Sequence, residues 1–275
     1  MYTSTVEKPI YRTPLRRHLG REYFILKRKL QWLKNAKTYA GIIPEEGENH
    51  HTLIQHKSML LRPLSNVDMY LQHNKITNLR LAISNIHGVT IRPGETFSIW
   101  KMVGRPTSAK GYLEGLVLQN GKITKGVGGG LCQLGNLIYW MALHSDLTVS
   151  ERWRHGFDVF PDIDRTIPFA CGATLAYNYI DLQLHNPTGN AYHIHLWLSD
   201  EFLHGELFCE QKPDAQFKVF ETDHHIQQQP WGGYTRHNKI WKQKKRITGE
   251  EISKELISAN HAIMMYNPLL PEKNP

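Results

Sequence analysis

The chain has 275 residues, 40% of them apolar, with seven Trp, a composition that supports a buried core and excludes a low-complexity or disordered protein. The net charge of +8 is concentrated: residues 8–37 carry ten Lys or Arg against Glu22 alone, and the rest of the chain is close to neutral. Three cysteines (Cys132, Cys171 and Cys209) with no CxxC pair argue against a secreted disulfide framework and fit a reducing compartment.

No apolar run follows the first positive charges, so no secretory signal is expected, and the expected location is cytoplasmic, peripheral to the inner membrane face. Residues 15–40 read as a basic amphipathic helix. Leu19, Tyr23, Leu26, Leu30 and Leu33 recur at spacings of four and three and form one stripe. Either that stripe docks the helix on the body, or it rests on an anionic membrane surface. Gly41 and Pro44 are the expected stop. Residues 44–65 read as a polar linker.

A second helix is expected over 74–87, closed by Gly88. Val89–Ile91 and Thr96–Trp100 then read as β-rich runs around the Pro93-Gly94 turn. Asn120-Gly121 between Leu116–Leu118 and Lys122–Thr124 is a hairpin signature, because both central positions tolerate positive φ. A third, mostly apolar helix is expected from Leu131 to His144. Residues 126–145 lack any Asp, Glu, Lys or Arg, but five glycines with Gln133, Asn136 and His144 argue against a membrane span.

Strand signals recur at Leu147–Val149, Thr174–Leu184, Tyr192–Leu198 and Glu206–Cys209. Beyond Glu210 the chain turns polar, and Thr248-Gly249-Glu250 between Ile240-Trp241 and Ile252–Leu256 predicts a peripheral β-ribbon. The expected fold is α+β, a mixed or antiparallel sheet packed on a central helix that starts at the glycine-rich Cys motif. The basic helix lies before it and the ribbon after it. The expected division is an arm and linker over 1–59, a core over 60–210 and an extension over 211–275.

The glycine run Gly126-Val127-Gly128-Gly129-Gly130-Leu131-Cys132-Gln133 is the most distinctive segment. Its glycines allow left-handed backbone and close approach of another group. A thiol at a helix start is favoured as thiolate by the helix dipole, and free loop N–H groups would stabilise an oxyanion. A Cys132 nucleophile, His155 base and Asp181 orienter then form a candidate thiol hydrolase or acyl transferase, with Asp158 and Asp162 as rival orienters. The plainer reading is Cys132 as a small core residue. The run lacks the Gly-Lys-Ser/Thr ending and the GxGxxG spacing of nucleotide loops. The close histidine pairs lack metal-ligand spacing, so neither metal nor cofactor is expected. The basic helix carries no nucleic-acid recognition motif, and no nucleic-acid partner is expected.

Gly128-Gly129-Gly130-Leu131-Cys132-Gln133-Leu134 followed by Asn136–Trp140 resembles the signature of the VanW family. Arg92–Ser98, Gly111-Tyr112-Leu113, Arg154-His155, Asp158–Asp162, Gly172-Ala173-Thr174 and Tyr177–Leu182 extend the resemblance over about residues 60–210. Where that family carries Ser or Ser-Thr after Cys-Gln-x, this chain carries Gly135. The resemblance implies a bacterial accessory protein linked to peptidoglycan metabolism and the glycopeptide response, with a peptide-like or anionic envelope substrate. Gly128, Gly129, Gly130, Gln133, Arg154, Asp158 and Asp162 are the candidate substrate contacts, whether the protein is a thiol enzyme or a non-catalytic binding module.

Overall fold

A computed structural model of the chain describes residues 13–43, 51–61, 68–119, 122–159, 166–177 and 179–268. The first helix, α1 (Pro14–Lys34), is capped by Thr13, whose Oγ1 accepts from the Arg16 N–H at 3.3 Å. Pro14 takes the first helical turn, where a missing N–H leaves no bond unmade. The helix ends at Asn35, ahead of the expected stop, and a short 3-10 turn over Ala36–Thr38 follows.

The stretch expected as a polar linker over 44–65 contains a long strand. After β1 (Gly41–Ile42), residues His51–Met59 form β2, which pairs antiparallel along its length with β11 (Phe202–Cys209). These residues thus belong to the core sheet rather than to an arm. The full sheet has the order β1-β3-β10-β11-β2, with β3 at Val89–Ile91 and β10 at Tyr192–Leu198, and every neighbouring pair is antiparallel.

Helix α2 (Met69–Ile83) begins before the expected 74 and ends before 87. A run of turns then leads to Gly88 at φ +79°, a conformation that favours glycine. β4 (Thr96–Ser98) runs into a short helix α3 (Ile99–Val103), started by Ser98 Oγ accepting from the Lys101 N–H. β5 (Glu114–Gln119) and β6 (Lys122–Val127) form the predicted hairpin; its turn residues Asn120 and Gly121 lie outside the described residues.

Helix α4 (Cys132–Ala142) is central, with Leu134, Gly135 and the whole of Leu137–Ala142 buried. It packs on β2 and β11 of the five-stranded sheet. On its other side lie residues 171–175, against which Gly135 and Asn136 are packed. The fold is α+β with a buried helix starting at the Cys motif, as the sequence predicts.

β7 (Thr148–Glu151) and β9 (Gln183–His185) form a three-stranded sheet with β4. The long strand expected over Thr174–Leu184 is not formed. Isolated bridges Trp153–Thr174 and Ala176–Ile180 hold that stretch as turns, and only its end pairs as β9. The C-terminal ribbon is larger than expected. β12 (Ala215–Gln228), β13 (Tyr234–Arg246) and β14 (Glu251–Met264) form an antiparallel sheet, and β8 (Phe157–Asp158) joins it parallel to β14.

Helix α1 corrects a second expectation. Its leucine stripe does not dock it: Leu15, Leu19, Tyr23, Leu26, Leu30 and Leu33 are all exposed. The docking face carries buried Ile25, partly buried Trp32 and two ion-paired residues. Arg28 reaches Glu151 with both terminal nitrogens at 2.6 and 2.8 Å, and Glu22 receives Arg105 at 3.1 and 3.3 Å.

Candidate functional site

The glycine–cysteine run folds as a junction. The Gly128 N–H donates to Leu113 O, the Gly129 N–H to Gly126 O and the Gly130 N–H to Leu116 O, each at 3.0 Å. These three donors are therefore consumed by backbone and are not aimed at an oxyanion. The close approach expected of the glycines is real, but the group that approaches is the Gly115 backbone, against Gly129. Asn78, fully buried in α2, donates to Leu113 O and Gly129 O and accepts from the Leu113 N–H, locking the two segments together.

The first turns of α4 continue the junction. The Gln133 amide donates to Ser58 O, Ser58 Oγ and Met59 O at the end of β2. Asn136 Oδ1 accepts from the Ala173 N–H at 2.7 Å. Gly135 lies under Leu175, and a Cβ there would sit 3.1 Å from the leucine, so that side chain would have to shift to admit serine.

Cys132 stands at the first position of α4, its Sγ–H donating to Leu175 O at 3.9 Å. The residue keeps some surface, yet its thiol is desolvated. Burial pushes the thiol above the ordinary thiol range, and backbone hydrogen bonding at Leu175 and at Cys132 itself opposes this only in part. The other two cysteines, Cys171 and Cys209, are buried. Iodoacetamide at about pH 8 should therefore modify the native protein at least about ten-fold more slowly than the urea-unfolded chain. A native rate as fast as the unfolded one would mean an accessible, activated thiol.

The structure does not bring the three proposed catalytic side chains into one hydrogen-bonded set. Among the described residues, the thiol bonds Leu175 and not His155. Burial, then the charge of Arg154, pull the His155 imidazole below its usual range, which favours the neutral ring. The Asp181 carboxylate is fully buried and accepts from Ser98 Oγ at 2.6 Å, the Trp100 and Leu182 N–H groups and the Gln183 amide, with Arg28 at 4.0 Å. Burial outweighs these donors and raises it to about 6. Its neighbour Glu151 accepts from Arg28, from the Asp181 N–H and from Gln183. The Asp181 carboxylate thus anchors α1 and α3.

The remaining expected contacts separate into two groups. Asp158 is buried and bonded to Arg236 at 3.4 Å and to the Tyr266 hydroxyl at 3.0 Å. Asp162 lies outside the described residues. Arg154 differs from both. Its guanidinium donates to the His261 carbonyl at 2.8 Å and stacks 5.2 Å above Phe169. Burial, then the charge of Arg152, lower it to about 10, against the opposing field of Asp158. It remains protonated at neutral pH, but its charge is under-compensated.

Arg152 was not singled out by the sequence reading. It donates to the carbonyls of Gly172 and Ala170, and it lies 4.5 Å over Tyr139. Neither Arg152 nor Arg154 forms an ion pair with a described carboxylate. The loop they grip is strained, because Ala170 holds φ +72°, a region that costs a non-glycine residue roughly 1–2 kcal/mol. Arg236 also lies over the Phe169 ring, at 4.5 Å, and Asn238 donates to the Phe169 carbonyl. The available signal for Arg152 was the Arg-x-Arg spacing in an extended run; Arg236, far along the chain, had none.

The model of the family described as "VanW like protein" matches residues 74–208. Over 206 residues, covering 74% of each chain, the sequence is 35% identical to the Vancomycin B-type resistance protein VanW of Enterococcus faecalis (strain ATCC 700802 / V583). This chain belongs to the VanW family. It is also 32% identical over 78 residues to the uncharacterized protein YoaR of Bacillus subtilis (strain 168), covering 28% of this chain and 26% of that one. No solved structure matches it significantly. The VanW-like segment contains the junction, Arg152, Arg154 and Phe169, whereas α1 and Arg236 lie outside it.

Proposed function

We propose that this chain is a VanW-type accessory protein of the glycopeptide response that binds an anionic cell-envelope precursor at Arg152 and Arg154, without thiol chemistry. The response follows the name of the Enterococcus relative. The observation that carries the binding reading is the pair of neighbouring guanidiniums with no carboxylate partner among the described residues, Arg154 being lowered to about 10 by burial and by Arg152. A half-buried cation in that state gains from an incoming carboxylate or phosphate, which supplies the missing charge and takes the guanidinium's unused donors. Phe169 and Tyr139, beneath the two guanidiniums, fix their planes. The thiol reading has less support, since the Gly128–Gly130 N–H groups, the thiol and the proposed orienting acid are each hydrogen-bonded to other groups.

The test is calorimetric titration with a nucleotide-linked muramyl pentapeptide, which carries a diphosphate and a terminal carboxylate. Wild type is expected to bind, and Arg154→Gln to bind at least about ten-fold more weakly, the loss of one charge-assisted hydrogen-bonding group. A titration with the terminal carboxylate amidated tells which anion is held. Equal binding by wild type and Arg154→Gln would overturn the reading.

A further inference from the structure

We infer that α1 is a membrane-surface anchor that lays its leucine stripe on an anionic lipid bilayer. The helix has two apolar faces. One is used inside the protein, by Ile25 and Trp32. The other carries Leu15, Leu19, Tyr23, Leu26, Leu30 and Leu33, between 57% and 74% exposed. At about 100° per residue these six side chains fall within an arc of roughly 80°. So large a contiguous apolar strip on a protein surface marks an interaction site.

Its orientation is fixed by Arg28, on the side away from the stripe, and by Glu22, at the stripe's edge. Arg28 is held by Glu151 at 2.6 and 2.8 Å, and Glu22 by Arg105 at 3.1 and 3.3 Å. These two pairs, with Glu22 and Arg28 six residues apart on the helix, prevent it from rolling its leucines onto the body. The stripe therefore points to solvent because of how the helix is docked.

Charge selects the occupant. Arg16, Lys27 and Lys34 border one edge of the stripe and Lys29 the other, and none of the four has an ion-pair partner among the described residues. Leucines in the middle with lysine and arginine along the rims match the boundary between acyl chains and anionic headgroups. A second copy of the chain would instead set two strongly basic helices side by side. No described helix is long and apolar enough to cross a membrane, so the contact is one of lying on the surface. This inference does not depend on the anion site.

The experiment is co-sedimentation of the full chain with phosphatidylglycerol-containing vesicles and with pure phosphatidylcholine vesicles, at about 0.1 M and about 1 M salt. Binding is expected to the anionic vesicles at low salt and to be largely lost at high salt. Lys27→Gln/Lys34→Gln should weaken it roughly thirty-fold, and Leu26→Ser/Leu30→Ser roughly ten-fold or more, with unchanged circular dichroism and melting temperature. Arg154→Gln should bind vesicles as wild type does. Equal sedimentation with both lipids, no sedimentation at low salt, or unchanged binding by the leucine variant would overturn the inference. So would a dimer that the leucine variant dissociates in the absence of any vesicle binding, which would place a second copy on the stripe.

Discussion

Gly129→Ala is expected to abolish the native state. A Cβ at 129 would overlap the carbonyl carbon and oxygen of Gly115, and a Cβ at 115 would lie 2.8 Å from the Gly129 carbonyl carbon. Both obstacles are backbone, so no rotamer change relieves them. The two strands of chain are also pinned by Asn78, which bonds both Leu113 and Gly129 from the buried face of α2. Overpacking that side chains can absorb costs about 1–3 kcal/mol, and a backbone clash exceeds that range. A loss of roughly 5 kcal/mol consumes most of the stability of an ordinary domain. Gly20→Ala is the matched control: nothing lies near it, it sits within α1, and it should stabilise by about 0.5–1 kcal/mol. Urea unfolding, or soluble yield where no folded protein is obtained, measures both. A Gly129→Ala protein with the wild-type midpoint would mean that the Gly115–Gly129 contact is not what the glycine run is for.

Arg28→Ala should be the most damaging change in the amino-terminal helix, with a pH signature. Its guanidinium sits between Glu151 and Asp181, with 14% of the Arg28 side chain and 21% of the Glu151 side chain exposed. Removing it leaves two neighbouring carboxylates without their cation, a loss of about 3 kcal/mol at neutral pH. Asp181 is already raised by burial from 3.8 to about 6. A raised carboxyl contributes stability that is fully present below its unfolded pKa and disappears as pH rises through its folded pKa. For Asp181 that window runs from about 4 to about 6, and the ionised form costs the fold roughly 3 kcal/mol relative to the protonated one. Without Arg28 the folded value moves higher still. The deficit of Arg28→Ala should therefore be small at about pH 4 and grow to its full size above about pH 6. Urea midpoints across that range test it; a deficit independent of pH would show that Asp181 does not feel Arg28.

The parts of the fold that were legible in the sequence are those with local causes. The apolar period of α4 and the hairpin of β5 and β6 each follow from residues within a few positions. β2 was not legible, because His51–Met59 is an edge strand whose burial alternates only weakly and whose partner β11 lies about 150 residues away. The α1 periodicity revealed a stripe but not which side docks. That is decided by Arg28 and Glu22 meeting Glu151 and Arg105, contacts that span 123 and 83 residues.

The site was legible to a similar degree. The glycine–cysteine run is the structural centre of the domain, yet the same features suit a reactive loop and a packing junction. The spacing of Cys132, His155 and Asp181 does not tell whether an acid faces a histidine or, as here, Ser98 and the backbone of α3. Arg154 was reached through its place beside His155. Its value as a site comes from Arg152 and Phe169, which lie next to it in space.

The most direct test compares three proteins in one titration with the nucleotide-linked muramyl pentapeptide: wild type, Cys132→Ser and Arg154→Gln. If the cysteine motif is a junction and the arginine pair is the site, Cys132→Ser binds as wild type does and leaves the ligand chemically unchanged after prolonged incubation. Arg154→Gln then loses about ten-fold or more in affinity. The contrary pattern, with Arg154→Gln binding normally and wild type converting a ligand that Cys132→Ser leaves intact, would return the function to the thiol.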